Sequence, residues 1–255
     1  MLRHSCSIAS AALAVWIVAG APVAQAADKV PAAISEAVAD PSRPAEDRAR
    51  DANRKPAEVI AFAGIHRGQH IAELFPGGGY FTRIFAKLVG DGGVVYALTP
   101  PPRPNAPAGA PDPAAAINLI AAENENVKVE RLNPEKLVPE PVDLVWTSDN
   151  YHDLHNRPNA DLTAFNKTVF DALKPGGLYI VIDHAAAPGA GATATSTLHR
   201  IDPETVKSEV TAAGFRLVDE SNVLHNPQDP HTAGVRDPSI RGKTDQFVLK
   251  FRKPS

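Results

Sequence analysis

The sequence predicts an α/β fold: a seven-stranded, mostly parallel sheet with helices on both faces and an antiparallel last strand. Two observations lead to this fold class. Seven short runs rich in β-branched and aromatic residues alternate with segments of helical periodicity, as in a parallel sheet with crossover helices. Only a long loop separates the last two runs, so the final strand must return antiparallel to its neighbour.

In the first half of the chain, apolar spacing separates helices from strands. "VIAFAGI" (59–65) has helical spacing, whereas "HIAELF" (70–75) is a short extended run that ends at a proline and three glycines. "YFTRIFAKLV" (80–89) has one apolar stripe at helical steps, and "GGVVYAL" (92–98) is a strand. The segment "TPPPRPNAPAGAPDP" (99–113) contains seven prolines, which excludes regular structure.

The second half repeats the alternation up to the closing pair of strands. The segment "KPGG" is expected to end the predicted helix 161–173, which directly precedes it. Further along the chain, "DPETVKSEVTAAG" opens with Asp followed by Pro, which is typical of a helix N-terminus. The predicted helices are 114–124, 161–173 and 202–214, and the predicted strands are 127–131, 141–148, 178–184, 215–221 and 245–253.

The N-terminus carries the pattern of an export signal. Arg3 precedes the apolar run 11–20, and Ala24-Gln25-Ala26 matches the small-x-small pattern that signal peptidase cleaves. We therefore expect a signal peptide over residues 1–26 and a periplasmic mature protein. The apolar run is too short to span a bilayer and no later segment is long enough, so no membrane insertion of the mature chain is expected. The single cysteine, Cys6, lies inside this leader.

The remaining chain divides into an arm and one domain. Residues 27–57, rich in Ala, Pro and charge, are interpreted as an N-terminal helical or irregular arm that covers the core, with a flexible linker as the alternative. Residues 58–255 form the predicted domain. The formal net charge of −3 gives no excess of positive charge that would attract a polyanion. A small-molecule partner is therefore expected, and nucleic acid is not. The sequence leaves the oligomeric state open.

Three consecutive glycines, Gly77, Gly78 and Gly79, follow the first predicted strand and precede its helix. Backbone at this position can approach a ligand closely, although a tight turn without a ligand is the alternative. A P-loop would continue with Gly-Lys-Ser/Thr, but this loop continues with Tyr80-Phe81-Thr82. A dinucleotide loop would place a third glycine where Phe81 or Thr82 stands. The loop thus disfavours both nucleotide-phosphate ligands.

Several quoted segments resemble the class I S-adenosylmethionine-dependent methyltransferases. They are "ELFPGGGYFT", "GGVVYALTP", "PVDLVWTSDNYHDL" and "LKPGGLYIVIDH". More narrowly, "VIDHAAAPGAG", "TLHRIDPETVKSEVTAAGF" and "DPSIRGKTDQFVLKFRKP" resemble a family of predicted exported methyltransferases. The resemblance covers roughly residues 35–255. It implies a Rossmann-like three-layer sandwich, S-adenosyl-L-methionine as the cofactor, and methyl transfer to a small molecule.

The resemblance also implies cofactor contacts, some of them altered. Glu73 matches the acidic residue that helps hold the amino group of the methionine part, whereas Phe75 replaces the first glycine of the motif. Thr99 stands where an acid normally accepts the ribose hydroxyls, and Asn133 where an Asp accepts from the adenine amine. The implied cofactor-binding residues are Glu73, Phe75, Gly77, Gly78, Gly79, Tyr80, Thr99, Asn133 and Asp149.

Methyl transfer is an in-line displacement, so the protein must align a nucleophile and accept its proton. His152 and His184 are the candidate bases because imidazole titrates near neutral pH, and Asp183 is the third candidate catalytic residue. The loop 222–244 is expected to form a substrate wall with cationic side chains that suit an anionic or phenolic substrate. The candidate substrate contacts are Tyr151, His155, His199, Arg200 and Arg241.

Two other functions remain open at this stage. A non-catalytic protein that binds a small ligand on a methyltransferase scaffold would account for the changes at Phe75, Thr99 and Asn133. Metal-assisted hydrolysis would use "HDLH" (152–155) and the Asp183-His184 pair, but His-x-x-His in a turn is weak support. No residue is therefore assigned to a metal from the sequence.

Overall fold

A seven-stranded sheet lies at the centre of the molecule. The computed structural model describes Met1 and residues 30–102 and 105–255; apart from Met1, the predicted signal peptide lies outside the described residues. The strand order is β3-β2-β1-β4-β5-β7-β6. The strands are β1 (His70–Leu74), β2 (Val94–Thr99), β3 (Val127–Arg131), β4 (Val142–Ser148), β5 (Leu173–His184), β6 (Arg216–Ser221) and β7 (Gln246–Arg252).

The direction of the strands confirms the predicted fold class. The first five strands pair in parallel, and β7 pairs antiparallel with both β5 and β6. The described helices are α1 (Ala32–Val38), α2 (Ala45–Arg48), α3 (Asp51–Arg54), α4 (Pro56–Ala63), α5 (Tyr80–Val89), α6 (Ala115–Glu123), α7 (Tyr151–Leu154), α8 (Leu162–Ala172) and α9 (Pro203–Ala212). None of these helices is long and apolar enough to cross a bilayer.

Helices cover both faces of the sheet because its side chains alternate between two cores. In β4, Leu144 and Trp146 belong to the core shared with α4 and α5, whereas Val145 belongs to the core shared with α8 and α9. Strands buried on both faces give nearly continuous apolar runs, which explains why "VDLVW" shows no polar alternation beyond its Asp. The arrangement is the predicted three-layer sandwich.

An aromatic cluster fixes α5 against the sheet. Phe81 and Phe85 stack at 5.6 Å between ring centroids, and each makes an edge-on contact with Trp146 of β4, at 4.8 and 5.2 Å. These rings are almost fully buried. Because α5 begins directly after the glycine loop, this packing also sets the position of that loop.

The N-terminal arm packs on the same face. Ile34 and Ala37 of α1 are buried in the core that contains α4 and α5. The predicted arm contains three short helices, α1, α2 and α3, and a fourth short helix, α7, follows β4; periodicity does not detect α1 or α7. Elements of one or two turns present too few residues for a repeating apolar stripe.

The segment "KPGG" follows the end of α8 at Ala172, as expected, but it belongs to β5. β5 begins at Leu173 and continues through it, because Leu173 pairs with Val142 before the ladder resumes at Leu178 and Leu144. The four residues bulge out of the register between these pairs. Pro175 is tolerated in such a bulge because the ladder does not need its missing N–H there.

Candidate functional site

The candidate site lies where the order of the parallel strands reverses, between β1 and β4. Ligands of open α/β sheets bind at the carboxyl ends of the strands at this point. Three adjoining cavities form a crevice there. The central cavity, about 210 Å³, is lined by Glu73, Gly77, Gly78, Arg54 and Asp149 among others. The β2-side cavity, about 510 Å³, is lined by Phe75, Gly77, Thr99, Asn150 and Arg157 among others. The β7-side cavity, about 640 Å³, is lined by Arg50, Arg54, Asp149, His184, Arg241, Thr244 and Gln246 among others.

Glu73 places a carboxyl group at the floor of the central cavity. It is buried at the end of β1, and Thr82 of α5 donates a hydrogen bond of 2.6 Å to its Oε2. Burial raises the pKa of Glu73 to about 7, and the Thr82 hydrogen bond and the charge of Arg54 offset part of this effect. A positively charged ligand group would restore the ionised form, so the cavity floor suits a cation.

Different physical constraints explain the three glycines of the loop. Gly79 has a left-handed backbone with φ at 83°, and a Cβ there would lie 2.1 Å from Ile120 Cδ1, so another residue would be strained and would displace the Ile120 side chain of α6. In contrast, a Cβ on Gly77 or Gly78 would meet nothing within 4 Å, although both line the central cavity. Gly79 therefore serves the fold, Gly77 also allows a left-handed turn with φ at 58°, and both Gly77 and Gly78 leave space that a ligand can fill.

Phe75 has a left-handed backbone, with φ at 53°, at the position where the resemblance implies a glycine. Its N–H donates to Leu98 O at 3.0 Å, and the guanidinium of Arg157 lies 4.7 Å from the centre of its ring. Backbone and ring contacts thus hold this residue in a conformation that is strained for a bulky side chain.

The N-terminal arm contributes charged side chains to the crevice, and Tyr80, the first residue of α5, holds them in place. The Tyr80 hydroxyl donates to Asp51 at 2.6 Å, and its ring lies 4.6 Å from the Arg54 guanidinium and 5.1 Å from that of Arg50. Arg54 continues into the crevice and forms an ion pair of 2.8 Å with Asp149. The arm is therefore a wall of both the central and the β7-side cavities.

Asp149 follows β4 and joins the arm to β7. Its φ is 61°, and besides Arg54 it accepts a hydrogen bond of 2.6 Å from Gln246 Nε2. Burial raises the pKa of Asp149, but the positive charges of Arg54 and Arg50 and the hydrogen bond from Gln246 contribute to a larger opposite effect, so the net shift is downward. Asp149 is thus held as a carboxylate between two cavities.

Asp183 at the end of β5 binds His152 from the adjacent loop. The carboxylate of Asp183 accepts from the backbone N–H of His152 at 2.7 Å and from its Nδ1 at 2.7 Å. Burial lowers the pKa of His152, but the hydrogen bond and charge of Asp183 raise it by more, so the net shift is upward. On the other side of the ring, Nε2 lies 3.3 Å from His199 Nδ1 and 3.4 Å from Asp153 Oδ1.

His184 lies on the wall of the β7-side cavity. Its Nδ1 is 2.8 Å from Thr244 Oγ1, and its Nε2 is 4.0 Å from Asp149 Oδ1. The ring is partly exposed, whereas His152 is buried. Of the two candidate bases, His184 is the one with access to an open cavity.

Three other predicted site residues lie away from the crevice, and a fourth, Thr99, lines it with a hydroxyl group that is already hydrogen-bonded. Asn133 is exposed in the turn after β3, where it caps Glu135, and it lines none of the three cavities. Tyr151 and His155 both contact Glu209 of α9, and neither lines any of the three cavities. Thr99 lines the β2-side cavity, but its hydroxyl donates to Glu130 O at 3.1 Å.

Arg200 is also placed differently from the expected substrate wall. The guanidinium is fully buried, pairs with Asp229 at 2.8 Å and donates to Ala185 O and Ala233 O. These contacts satisfy it within the loop that precedes β7, so its placement does not support a substrate contact. Arg241 does line the β7-side cavity, and His199 contacts His152.

Sequence reasoning missed several residues of the crevice: Arg50, Arg54, Thr82, Asn150, Arg157, Thr244 and Gln246. For the arginines of the arm, a signal exists in "RARDANR", where Arg50 and Arg54 stand four residues apart on one side of a short helix. For Thr244 and Gln246 there is no local signal, since the return of β7 alone brings them to His184.

The strand order and the antiparallel seventh strand are those of the Rossmann-like fold that S-adenosylmethionine-dependent methyltransferases share. Solved structures bear this out. A SAM-dependent methyltransferase from Aquifex aeolicus is 18% identical, with a TM-score of 0.54, over 80% of this chain and 93% of that one. No family model and no curated protein matches the sequence.

Two further structures show the range of activities on this fold. An arsenic(III) S-adenosylmethionine methyltransferase from Chlamydomonas reinhardtii is 16% identical, with a TM-score of 0.52, over 88% of this chain and 74% of that one. The [4+2]-cyclase SpnF is 17% identical, with a TM-score of 0.54, over 82% of this chain and 80% of that one. Likeness at these identities establishes the fold and leaves the reaction to the residues of the site.

The buried Glu73 carboxyl makes stability depend on pH. Its pKa of about 7 in the folded chain exceeds the 4.5 of a free Glu, so the folded state retains a proton that the unfolded state loses between these values. The free energy of unfolding of the wild type should therefore fall from about pH 4.5 to pH 7, by on the order of 3 kcal/mol relative to Glu73→Gln. Urea unfolding of both proteins at pH 5 and pH 8 measures this difference, and parallel pH profiles would contradict it.

Proposed function

We propose that the protein is an S-adenosylmethionine-dependent methyltransferase that acts on a small molecule. The observation that carries this proposal is the buried carboxyl of Glu73 beneath Gly77 and Gly78, which leave open space at the switch point of the sheet. Among the described residues, Thr82 is the one hydrogen-bond partner of this carboxyl, and it contacts Oε2. Oε1 therefore remains to accept from the ammonium group of the cofactor's methionine part.

The residues of the central cavity fit the other charges of this cofactor. Arg50 provides a positive charge for the carboxylate of the methionine part, and Asp149 lies on the same wall. When bound, S-adenosylmethionine supplies an electrophilic methyl group on a positively charged sulfur. The β2-side cavity, between Phe75 and Thr99, has the volume to accept a nucleoside.

The β7-side cavity is the proposed substrate site. It adjoins the central cavity across Arg54 and Asp149, and Arg241 adds a second guanidinium to its wall. A small anionic acceptor would be attracted to Arg50, Arg54 and Arg241. The base role requires the tautomer in which Nδ1–H of His184 donates to Thr244 Oγ1, because Nε2 is then the unprotonated nitrogen that takes the acceptor's proton.

His152 is less suited to that role. It is buried, and its Nε2 is already in contact with His199 and Asp153. We propose that Asp183 is a positioning residue, because it fixes His152 and also accepts from the backbone N–H of His184 at 2.8 Å.

The second candidate function is a binding protein without transferase activity. The strained Phe75 and the engaged hydroxyl of Thr99 favour it, since they replace a glycine and a carboxylate that the resemblance implies. A hydroxyl holds a ribose more weakly than a carboxylate does, by about 1 kcal/mol per contact. The two functions differ in one observable, the transfer of a methyl group.

The substitution Gly78→Ala tests the cofactor site. The added methyl group meets no protein atom within 4 Å, so the free energy of unfolding should change by less than about 0.5 kcal/mol. It should, however, occupy space that the cofactor needs and weaken S-adenosylhomocysteine binding roughly tenfold or more in calorimetry. Gly92→Ala, at an exposed glycine before β2, is the matched control. Wild-type protein that binds neither S-adenosylmethionine nor S-adenosylhomocysteine at millimolar concentration would refute the proposal.

The substitution His184→Gln tests the base. With an anionic acceptor found by screening with radiolabelled S-adenosylmethionine, kcat should fall by roughly 10²–10⁴ because the proton acceptor is lost. The affinity for S-adenosylhomocysteine should stay unchanged, since the ring lines the β7-side cavity and not the central one. A kcat equal to that of the wild type would exclude His184 as the base.

We further propose that the protein acts in the periplasm. This proposal rests on the sequence pattern of residues 1–26 alone. N-terminal sequencing of protein isolated from the periplasmic fraction should begin at Ala27, and an intact Met1 would contradict it.

A further inference from the structure

Three side-chain atoms of metal-ligand type converge at the rim of the crevice, where Asp153 also lines the β2-side cavity. They are Nε2 of His152, Nδ1 of His199 and Oδ1 of Asp153. The two nitrogens are 3.3 Å apart, and the carboxylate oxygen lies 3.4 Å from His152 Nε2 and 3.6 Å from His199 Nδ1. The three atoms thus form a nearly equilateral triangle.

Asp183 determines which ring nitrogen of His152 carries the proton. Because Nδ1 of His152 contacts the Asp183 carboxylate at 2.7 Å, Nδ1 carries the proton and the lone pair of Nε2 is directed into the triangle. His199 also turns its Nδ1 to the same point, with a left-handed backbone at φ 55°. Two imidazole nitrogens and one carboxylate oxygen at these separations are satisfied either by a proton on His199 Nδ1 that is donated to its neighbours or by a metal ion that all three ligate.

The size of the triangle favours a tetrahedral metal ion. Ligands about 2.0–2.1 Å from a tetrahedral Zn²⁺ are separated from one another by about 3.3–3.4 Å. Adjacent ligands of an octahedral ion at the same bond length would be only about 2.8–3.0 Å apart. The observed separations of 3.3, 3.4 and 3.6 Å correspond to the tetrahedral case.

The surroundings match those of a zinc site with one open position. A ligating histidine usually donates its second N–H to a carboxylate, and Asp183 provides that partner for His152. The side chains of Asp153 and His199 are 53% and 30% exposed, which leaves a fourth position accessible to water. Two nitrogens, one oxygen and an open position are the donor set of catalytic zinc sites.

We propose that His152, His199 and Asp153 bind a Zn²⁺ ion whose fourth ligand is water or an oxygen of a bound molecule. The site differs from the one that "HDLH" indicates, because His155 turns to Glu209 at 3.2 Å and His199 takes its place from a loop 47 residues away from His152. Asp153 also lines the β2-side cavity, so the ion would lie at the rim of the crevice. This inference is independent of methyl transfer.

Metal binding by protein purified without a polyhistidine tag tests the proposal. After treatment with chelator and dialysis, the chain should bind one equivalent of Zn²⁺ in calorimetry, and Co²⁺ should give the visible absorption of a tetrahedral site. His199→Ala should weaken Zn²⁺ binding by roughly a hundredfold or more, because it removes one of three ligands from a partly exposed position. His155→Gln, which alters the other histidine of "HDLH", should leave Zn²⁺ affinity within about twofold of the wild type.

Two further measurements separate metal binding from folding and from the cofactor site. Circular dichroism and S-adenosylhomocysteine affinity of His199→Ala should match those of the wild type, since the ring contacts neither Glu73 nor the glycine loop. Absence of Zn²⁺ and Co²⁺ binding by the wild type at micromolar concentration would overturn the proposal. So would a Zn²⁺ affinity that His199→Ala leaves intact, or one that His155→Gln abolishes.

Discussion

The buried carboxylate of Asp183 organises the edge of the sheet on which the candidate chemistry depends. It is inaccessible to solvent and accepts three N–H groups, from the backbone and ring of His152 and from the backbone of His184. A buried charge without such partners would cost several kcal/mol, so the loop after β4 must bring its N–H groups to the end of β5. The orientation of both histidines follows from this one requirement, as does the contact of His152 with His199.

The arm imposes a second constraint from the opposite side of the crevice. Tyr80 binds Asp51 and lies against Arg50 and Arg54, and Arg54 pairs with Asp149. The charges that face the central and β7-side cavities thus come largely from a segment outside the doubly wound sheet. The sheet is shared by methyltransferases and a cyclase, so the sheet alone does not determine the reaction.

The sequence sufficed for the fold because its signals are periodic and local. The order of strands and helices and the antiparallel β7 follow from alternation and from one missing crossover helix. The roles within the site depend on tertiary contacts that no spacing encodes. Gly78 and Gly79 are indistinguishable in the sequence. In the structure, a side chain on Gly79 would meet Ile120, whereas one on Gly78 would extend into open space. Likewise, "HDLH" draws attention to His155, whereas the chain brings His199 to His152 through a left-handed turn.

Strained backbone conformations are found at the carboxyl ends of the strands, where the crevice lies. Among the described residues, six non-glycine residues have a left-handed φ, and three of them are Phe75, Asp149 and His199. Each such residue costs about 1–3 kcal/mol and persists only where its surroundings fix it. Phe75 is held by Leu98 and Arg157, and Asp149 by Arg54 and Gln246. The strain therefore orients side chains before any ligand arrives, and a preorganised crevice loses less conformational entropy when it binds one.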